Sequence, residues 1–545
     1  MDEPRSESPP SSNPVVWRDW QWLLLLVCFV VALRACLFFN TEVMARDSVG
    51  YVRYALRFEE KSYGEVLRTF DQHPAYPLAI WAVSMPLRAW GGTTPEVMQW
   101  SAQLVSALAA VLLIIPMYYL GKALWDARVG FGGALLYQFL PMSGHHLSDG
   151  MSESLFVMFV AWSLWCGVRA LQSRGRLWFI ACGVLSGMAY LTRPEGAVVL
   201  AAIALTLAAF QLFAVSRERW GPWLAQCACL VAPAMLVGSL YVWPTGGLTN
   251  KPSIQGMADF AVRSSDSSEG AVRLPGLWAQ LWADSFIHLT SPTARLMRGA
   301  RALILEISYA LHYLGCIPLV VALIWQRRAL LRERAAWAVV CYFCLHAAAL
   351  LLLARSAGYL SDRHLMSLIM LLCYPAMLGI RELAGWISAW KARGDGPYAN
   401  RTPLIAMAIL GLLVAACVPQ TLKRLHGNRA GNHAIGLWLR EQLQDGDVVL
   451  DDHDWSNYYA GQVFIEGKEP PARPGYQPQC YVVITRSNDP KVAKKRDNWE
   501  RRLQWSEKGE IVRHWPLEKT PSEARVVVYM LPRDPRTHPW KVAQN

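Results

Sequence analysis

The chain has 545 residues, 53% hydrophobic and 17% charged, against about 25% charged in soluble domains. That balance excludes a soluble enzyme and predicts an integral membrane protein. The net charge of +12 is spread over short connectors between apolar runs, which suits membrane orientation and argues against nucleic acid as a partner.

Residues 1–19 are rich in proline and serine and predict a disordered cytoplasmic tail. No small-residue cleavage site follows the apolar run 20–39, so that run reads as an anchor. Further apolar runs fall at 98–120, 127–143, 151–171, 176–192, 196–214, 222–243, 302–325, 335–354, 364–380 and 402–420. At about 20 residues per span this gives about eleven helices. Threaded from a cytoplasmic N-terminus, they place Lys122, Arg128, Arg169, Arg174, Arg176, Arg217, Arg219, Arg327, Arg328 and Arg381 on inside connectors, as the positive-inside rule requires. Segment 78–90 is short and holds Pro86; counting it as a span would invert that pattern, so it reads as re-entrant or interfacial. Loops 41–97 and 243–300, turns 144–150 and 355–363, and everything after 421 then share the external face.

Most of the twelve cysteines lie in the apolar runs, and Cys480 is alone in the polar C-terminal part; they read as packing residues. From 421 the character changes. NHAIGLWLREQL predicts an amphipathic helix, and VVLDDH, YVVIT and ARVVVYML predict strands, separated by polar Pro/Gly connectors. The predicted fold is therefore an α-helical polytopic membrane domain over 20–420 followed by a small soluble α/β domain over 421–545. The chain carries no Walker motif, dinucleotide fingerprint, zinc spacing or internal repeat.

Several polar strings stand where the chain leaves the membrane. In the first loop, Arg46-Asp47 precedes Val49, Val52 and Leu56 at helical spacing, with Tyr51 and Tyr54 between them, a pattern for an interfacial helix. His73-Pro74-Ala75-Tyr76-Pro77 closes the loop, and its prolines are expected to prevent a regular helix. In SGHHLSDGMSESLF, a helix starting near Asp149 would put Asp149 and Glu153 on one face; the two serve either as cap and dipole partner or, with Asp47, as ligands of a divalent cation beside His145 or His146. Arg193 and Glu195 in LTRPEG suit a structural ion pair. Lys251 follows Gly246-Gly247 and is either solvated or a phosphate ligand. PGLWAQLWADSFIHL, with Trp278 and Trp282, reads as an interfacial helix or lid. Arg355, Tyr359, Arg363 and His364 precede a late span; arginine suits phosphate because its fork donates paired bonds and keeps its charge, and headgroup snorkelling is the competing account.

Together the first loop, LTRPEG after a Gly/Ala-rich helix, and the late ARSAGYLSDRHLM string resemble the GT-C glycosyltransferases, and within them the bacterial protein-mannosyltransferase-like and aminoarabinose-transferase-like families (glycosyltransferase family 39-like). The resemblance covers roughly residues 20–400. It implies a polyprenyl-phosphate sugar donor, a glycan, lipid or protein acceptor, and Asp47 as the catalytic residue. Arg46, Tyr51, His73, Asp149 and Glu153 would position donor or acceptor, and Arg363, Arg355, His364 and Lys251 would hold the lipid phosphate. A divalent metal is compatible with Asp47, Asp149 and Glu153 but is not required, since one base and a stabilised leaving group suffice for inversion. The setting implied is the plasma (inner) membrane, with the C-terminal domain periplasmic or external. A transporter or flippase of a lipid-linked or small anionic substrate is the alternative, although no repeated halves or matching broken spans are present.

Overall fold

The computed structural model describes residues 17–213, 220–251, 292–357, 360–392, 402–451, 453–466, 468, 471–486 and 509–532. The expected tail lies almost wholly outside them, and the helix proposed around Trp278 and Trp282, Tyr359 and the side chain of Arg355 lie wholly outside them.

Among the described residues, eight helices are long and apolar enough to cross a membrane: Asp19–Phe39, Pro95–Leu124, Ser152–Ser173, Pro194–Phe213, Trp220–Thr245, Ala336–Ala354, Asp362–Trp390 and Thr402–Thr421. Arg176–Thr192 and Cys316–Trp325 are shorter apolar helices. Two expected spans are broken and a third, 176–192, is one of these shorter helices, so the count of about eleven is not reproduced among the described residues. Run 127–143 is a 13-residue helix, Ala127–Phe139, followed by the short helix Pro141–His146. Pro141 has no N–H to continue the first helix and disfavours helical backbone at the residue before it. Run 302–325 divides into Pro292–Ala310 and Cys316–Trp325, separated by His312 and Tyr313, both with left-handed backbone. Segment 78–90 lies in the helix Ala75–Gly91, which is not among the spanning candidates. Pro74 and Pro77 do not prevent that helix: Pro77 sits in its first turn, where backbone N–H groups have no partner within the helix.

Small residues let the helices close. A Cβ on Gly121 would stand 2.5 Å from the Gly130 Cα, and one on Gly379 would stand 1.7 Å from the Pro318 carbonyl oxygen, so backbones touch at both places. Arg34, inside the first span and buried, donates to the Gly144 carbonyl and Ser148 Oγ at 2.7 Å each, and to Gln138 Oε1 at 2.6 Å. It thereby ties that helix to the second polar turn. At the other end of the bundle, Lys122 pairs with Asp19 and Arg381 with Asp126, so basic connectors collect away from the turns described below.

The C-terminal part builds a four-stranded sheet from β1 (Val448–Asp451), β2 (Gln479–Thr485), β3 (Glu510–Trp515) and β4 (Val526–Pro532). Its spatial order is β1-β2-β4-β3; β1 and β2 are parallel, and β4 runs antiparallel to both neighbours. Helix Ala430–Gln442 lays Ile435 and Leu439 on Val449, Val483, Val526 and Val528. The helix and three of the strands are those expected; β3 (EIVRHW) has a mixed polar pattern that does not alternate cleanly. The twelve cysteines form no disulfide.

This domain grips the first polar loop. Thr41 pairs with Leu425 in an isolated parallel bridge. The Trp455 indole donates to the Met44 carbonyl at 2.9 Å, and the Tyr458 hydroxyl to the Pro95 carbonyl at 2.8 Å. Arg53 pairs with Glu466 at 3.2 Å, and Arg440 with Glu96 at 2.6 Å.

Candidate functional site

The helix Arg46–Arg57 forms as its spacing predicts, with Val49, Val52, Tyr51 and Tyr54 buried and Asp47 in the first turn. Two bonds fasten it to the second polar turn: Ser48 Oγ donates to the Gly150 carbonyl at 2.8 Å, and the Tyr51 hydroxyl meets Ser152 Oγ at 2.9 Å. Burial, helped by the charge of Glu153, pushes the Tyr51 hydroxyl up to about 12, so it remains neutral.

A cavity of about 300 Å³ opens beside this helix. Asp47, Glu153 and Glu195 stand among its walls with Arg193, Arg363 and Lys251. Asp47 pairs with Arg363, 316 residues away in the chain. Deeper, the buried Arg193 binds both Glu153 and, at 3.3 Å, Glu195. Burial opposes a charge on Arg193, but the two carboxylates outweigh it and hold its pKa above the usual value. Lys251 has no ion-pair partner among the described residues; burial, reinforced by Arg193 and Arg363 and opposed by Glu195, lowers its pKa. Glu153 Oε2, Glu195 Oε2, Arg363 Nε and His346 Nδ1, all on lining residues, lack hydrogen-bond partners among the described residues. Unused polar capacity of this kind marks a place for a polar ligand.

Of the residues singled out from sequence, Asp47, Tyr51, Glu153, Arg363, His364 and Lys251 line this one cavity. Arg46 is exposed and does not line it. His73 is buried behind the site: Nδ1 lies 2.7 Å from the Tyr190 carbonyl oxygen, Nε2 lies 3.3 Å from Thr249 Oγ1, and the ring stacks on Tyr241. Burial and the charge of Lys251 push His73 down to about 3, so it is a neutral brace for the segment that carries Lys251. Asp149 corrects both expectations for it. The helix begins at Ser152, after Gly150 turns the chain at φ 68°, so Asp149 neither caps it nor shares a face with Glu153. Its carboxylate instead accepts from His426 Nε2 at 2.8 Å, across to the C-terminal domain.

A divalent cation does not fit the groups present. Asp47 and Glu153 are each paired with an arginine, Asp149 faces elsewhere, and among the described residues no three His, Cys, Asp or Glu side chains gather as ligands. The sequence reading missed Gln72 and His346 as lining residues. A lone histidine inside the apolar run 335–354 is the signal that marked His346. Arg193 and Glu195 form the structural pair expected of them and are cavity wall as well.

Residues 72–239 match the family described as dolichyl-phosphate-mannose-protein mannosyltransferase. No curated protein matches the chain by sequence. Among solved structures, the Archaeoglobus fulgidus oligosaccharyltransferase in its apo form aligns with a TM-score of 0.50 at 13% identity, over 90% of this chain and 72% of that one. The ArnT protein of Cupriavidus metallidurans, solved with undecaprenyl phosphate, aligns with a TM-score of 0.49 at 14% identity, over 94% of this chain and 98% of that one. The fold is GT-C-like, similar to that of this oligosaccharyltransferase. The segment running from within the first polar loop into the Trp220–Thr245 helix is similar to the protein-mannosyltransferase family.

Proposed function

We propose that the chain is a membrane glycosyltransferase that moves a sugar from a polyprenyl-phosphate donor to a hydroxyl or amine acceptor at the external membrane face, with inversion. The observation that carries this reading is the joining of Asp47 to Arg363 at a cavity that also holds Lys251, a half-buried cation without an ion-pair partner among the described residues. Lys251 and the fork of Arg363 suit a phosphate, and Asp47, 45% exposed on its side chain, is open to an acceptor.

Arg363 and Lys251 engage the donor phosphate, and Asp47 takes the proton from the acceptor. The acceptor oxygen or nitrogen forms a bond to the anomeric carbon as the bond from that carbon to the phosphate oxygen breaks. The electron pair leaves with the phosphate, whose growing charge the two cations stabilise. A single displacement of this kind inverts the anomeric centre and needs no protein nucleophile. The grouping of the charges in the turns, with basic connectors at the opposite end, supports a transferase over a transporter with a midplane site.

Purified chain mixed with a labelled polyprenyl-phosphate sugar and an envelope extract should release free polyprenyl phosphate. Absence of release with every envelope fraction would remove the transferase reading. The external face is tested separately by an alkaline phosphatase fused after Asn545, which should be active in cells.

A further inference from the structure

We infer that His146 is a positioning residue for this reaction: it grips Asp362, and Asp362 fixes the turn from which Arg363 reaches the cavity. The inference rests on the proposed role of Arg363 in holding phosphate.

Asp362 opens the 3-10 turn Asp362–Leu365, which leads into the long helix Met366–Ala392. Its Oδ1 accepts from the Arg363 backbone N–H at 2.8 Å and from the Ser361 hydroxyl at 3.1 Å. One carboxylate oxygen therefore sets the backbone of the arginine. The other, Oδ2, lies 3.2 Å from His146 Nε2. His146 ends the short helix Pro141–His146, and that corner is held from two other sides. Arg34 binds the Gly144 carbonyl and Ser148, and His145 Nε2 lies 3.0 Å from the Thr421 carbonyl oxygen. A fixed corner thus holds the carboxylate that orients Arg363, and neither His146 nor Asp362 is part of the cavity wall.

The charges give the contact a direction with pH. Burial disfavours a proton on His146, but Asp362, with Glu153 and Asp149 beyond it, outweighs burial and raises its pKa above the ordinary value. His145 adjoins it, and Glu306 and Tyr309 face Asp362 from the helix Pro292–Ala310. Below the raised pKa, imidazolium and carboxylate form an ion pair. As pH rises through that value the pair is lost, the hold on Asp362 weakens, and affinity for phosphate falls.

The test uses the full chain in nanodiscs and undecaprenyl phosphate without sugar as the probe, with affinity measured from neutral to alkaline pH. His146→Gln keeps an N–H donor that does not titrate; it should bind near the wild-type level at neutral pH and show a smaller alkaline decline, the remainder being the loss of charge on Lys251. His146→Ala should weaken binding about tenfold, the scale of one charge-assisted hydrogen bond. Glu306→Gln should leave the decline in place. Wild-type binding with both His146 variants indistinguishable from it at every pH would overturn the inference alone, as would a decline abolished by Glu306→Gln. Wild-type protein that does not bind the probe would overturn the phosphate-binding reading of Arg363 and this inference with it.

Discussion

Two arginines stand in the same cavity wall and are held differently. Arg193 is buried, 6% exposed, and bound to two carboxylates; Arg363 has a side chain 30% exposed and binds one carboxylate that is itself open to solvent. A doubly paired interior cation cannot leave its partners without stranding charge in a low dielectric, so it serves as scaffold. A singly paired cation at the rim can exchange its partner for a phosphate at small cost. Burial and pairing, rather than residue type, separate the framework arginine from the one proposed to bind phosphate.

That contrast can be broken by mutation. The largest effect is expected from Arg193→Ala, which leaves Glu153 charged and buried; loss of one member of a buried pair costs about 3–5 kcal/mol. Thermal unfolding in detergent should show a clear drop, and an unchanged midpoint would deny Arg193 its structural role. Asp47→Asn should leave that midpoint alone and cut sugar transfer by about a hundredfold or more, within the 10²–10⁴ range of a positioned acid or base. Near-normal transfer would remove Asp47 from the chemistry. Arg363→Ala should fold normally and weaken binding of polyprenyl phosphate about tenfold to hundredfold, the worth of a charge-assisted bond of about 1.5–3 kcal/mol. Equal affinity would reassign it to membrane anchoring. The smallest effect is expected at Arg440, whose pair with Glu96 is more than a third exposed on both sides. Arg440→Ala should cost at most about 1 kcal/mol, and a larger loss would show that the grip of the C-terminal domain on the bundle depends on this contact.

Much of the site was legible because its residues lie where polar strings interrupt apolar ones. Asp47, Glu153, Lys251 and Arg363 each begin or end such a string, and the resemblance suggested the roles proposed for Asp47 and Arg363. What could not be read was pairing across the chain. Nothing near Asp149 signals His426, and nothing near Asp47 signals Arg363, because both contacts depend on how helices far apart in sequence pack. Helix lengths failed for a related reason: a run such as 302–325 keeps its hydropathy across His312 and Tyr313, whose left-handed backbone ends one helix and starts another. Strand β3 escaped because it covers the sheet edge with arginine and histidine, and such edges carry charge to discourage further pairing.

The bond from the Trp455 indole to the Met44 carbonyl spans 411 residues and ends three positions ahead of Asp47. It has a consequence for biogenesis. The loop that holds Asp47 leaves the ribosome early and threads into the bilayer while most of the bundle is still unmade, yet its anchor is translated only after the last long apolar helix, Thr402–Thr421. A nascent chain thus holds Asp47 and the cations of the cavity before it holds the clasp on the loop that carries Asp47. A chain that stops short of Trp455 lacks that clasp.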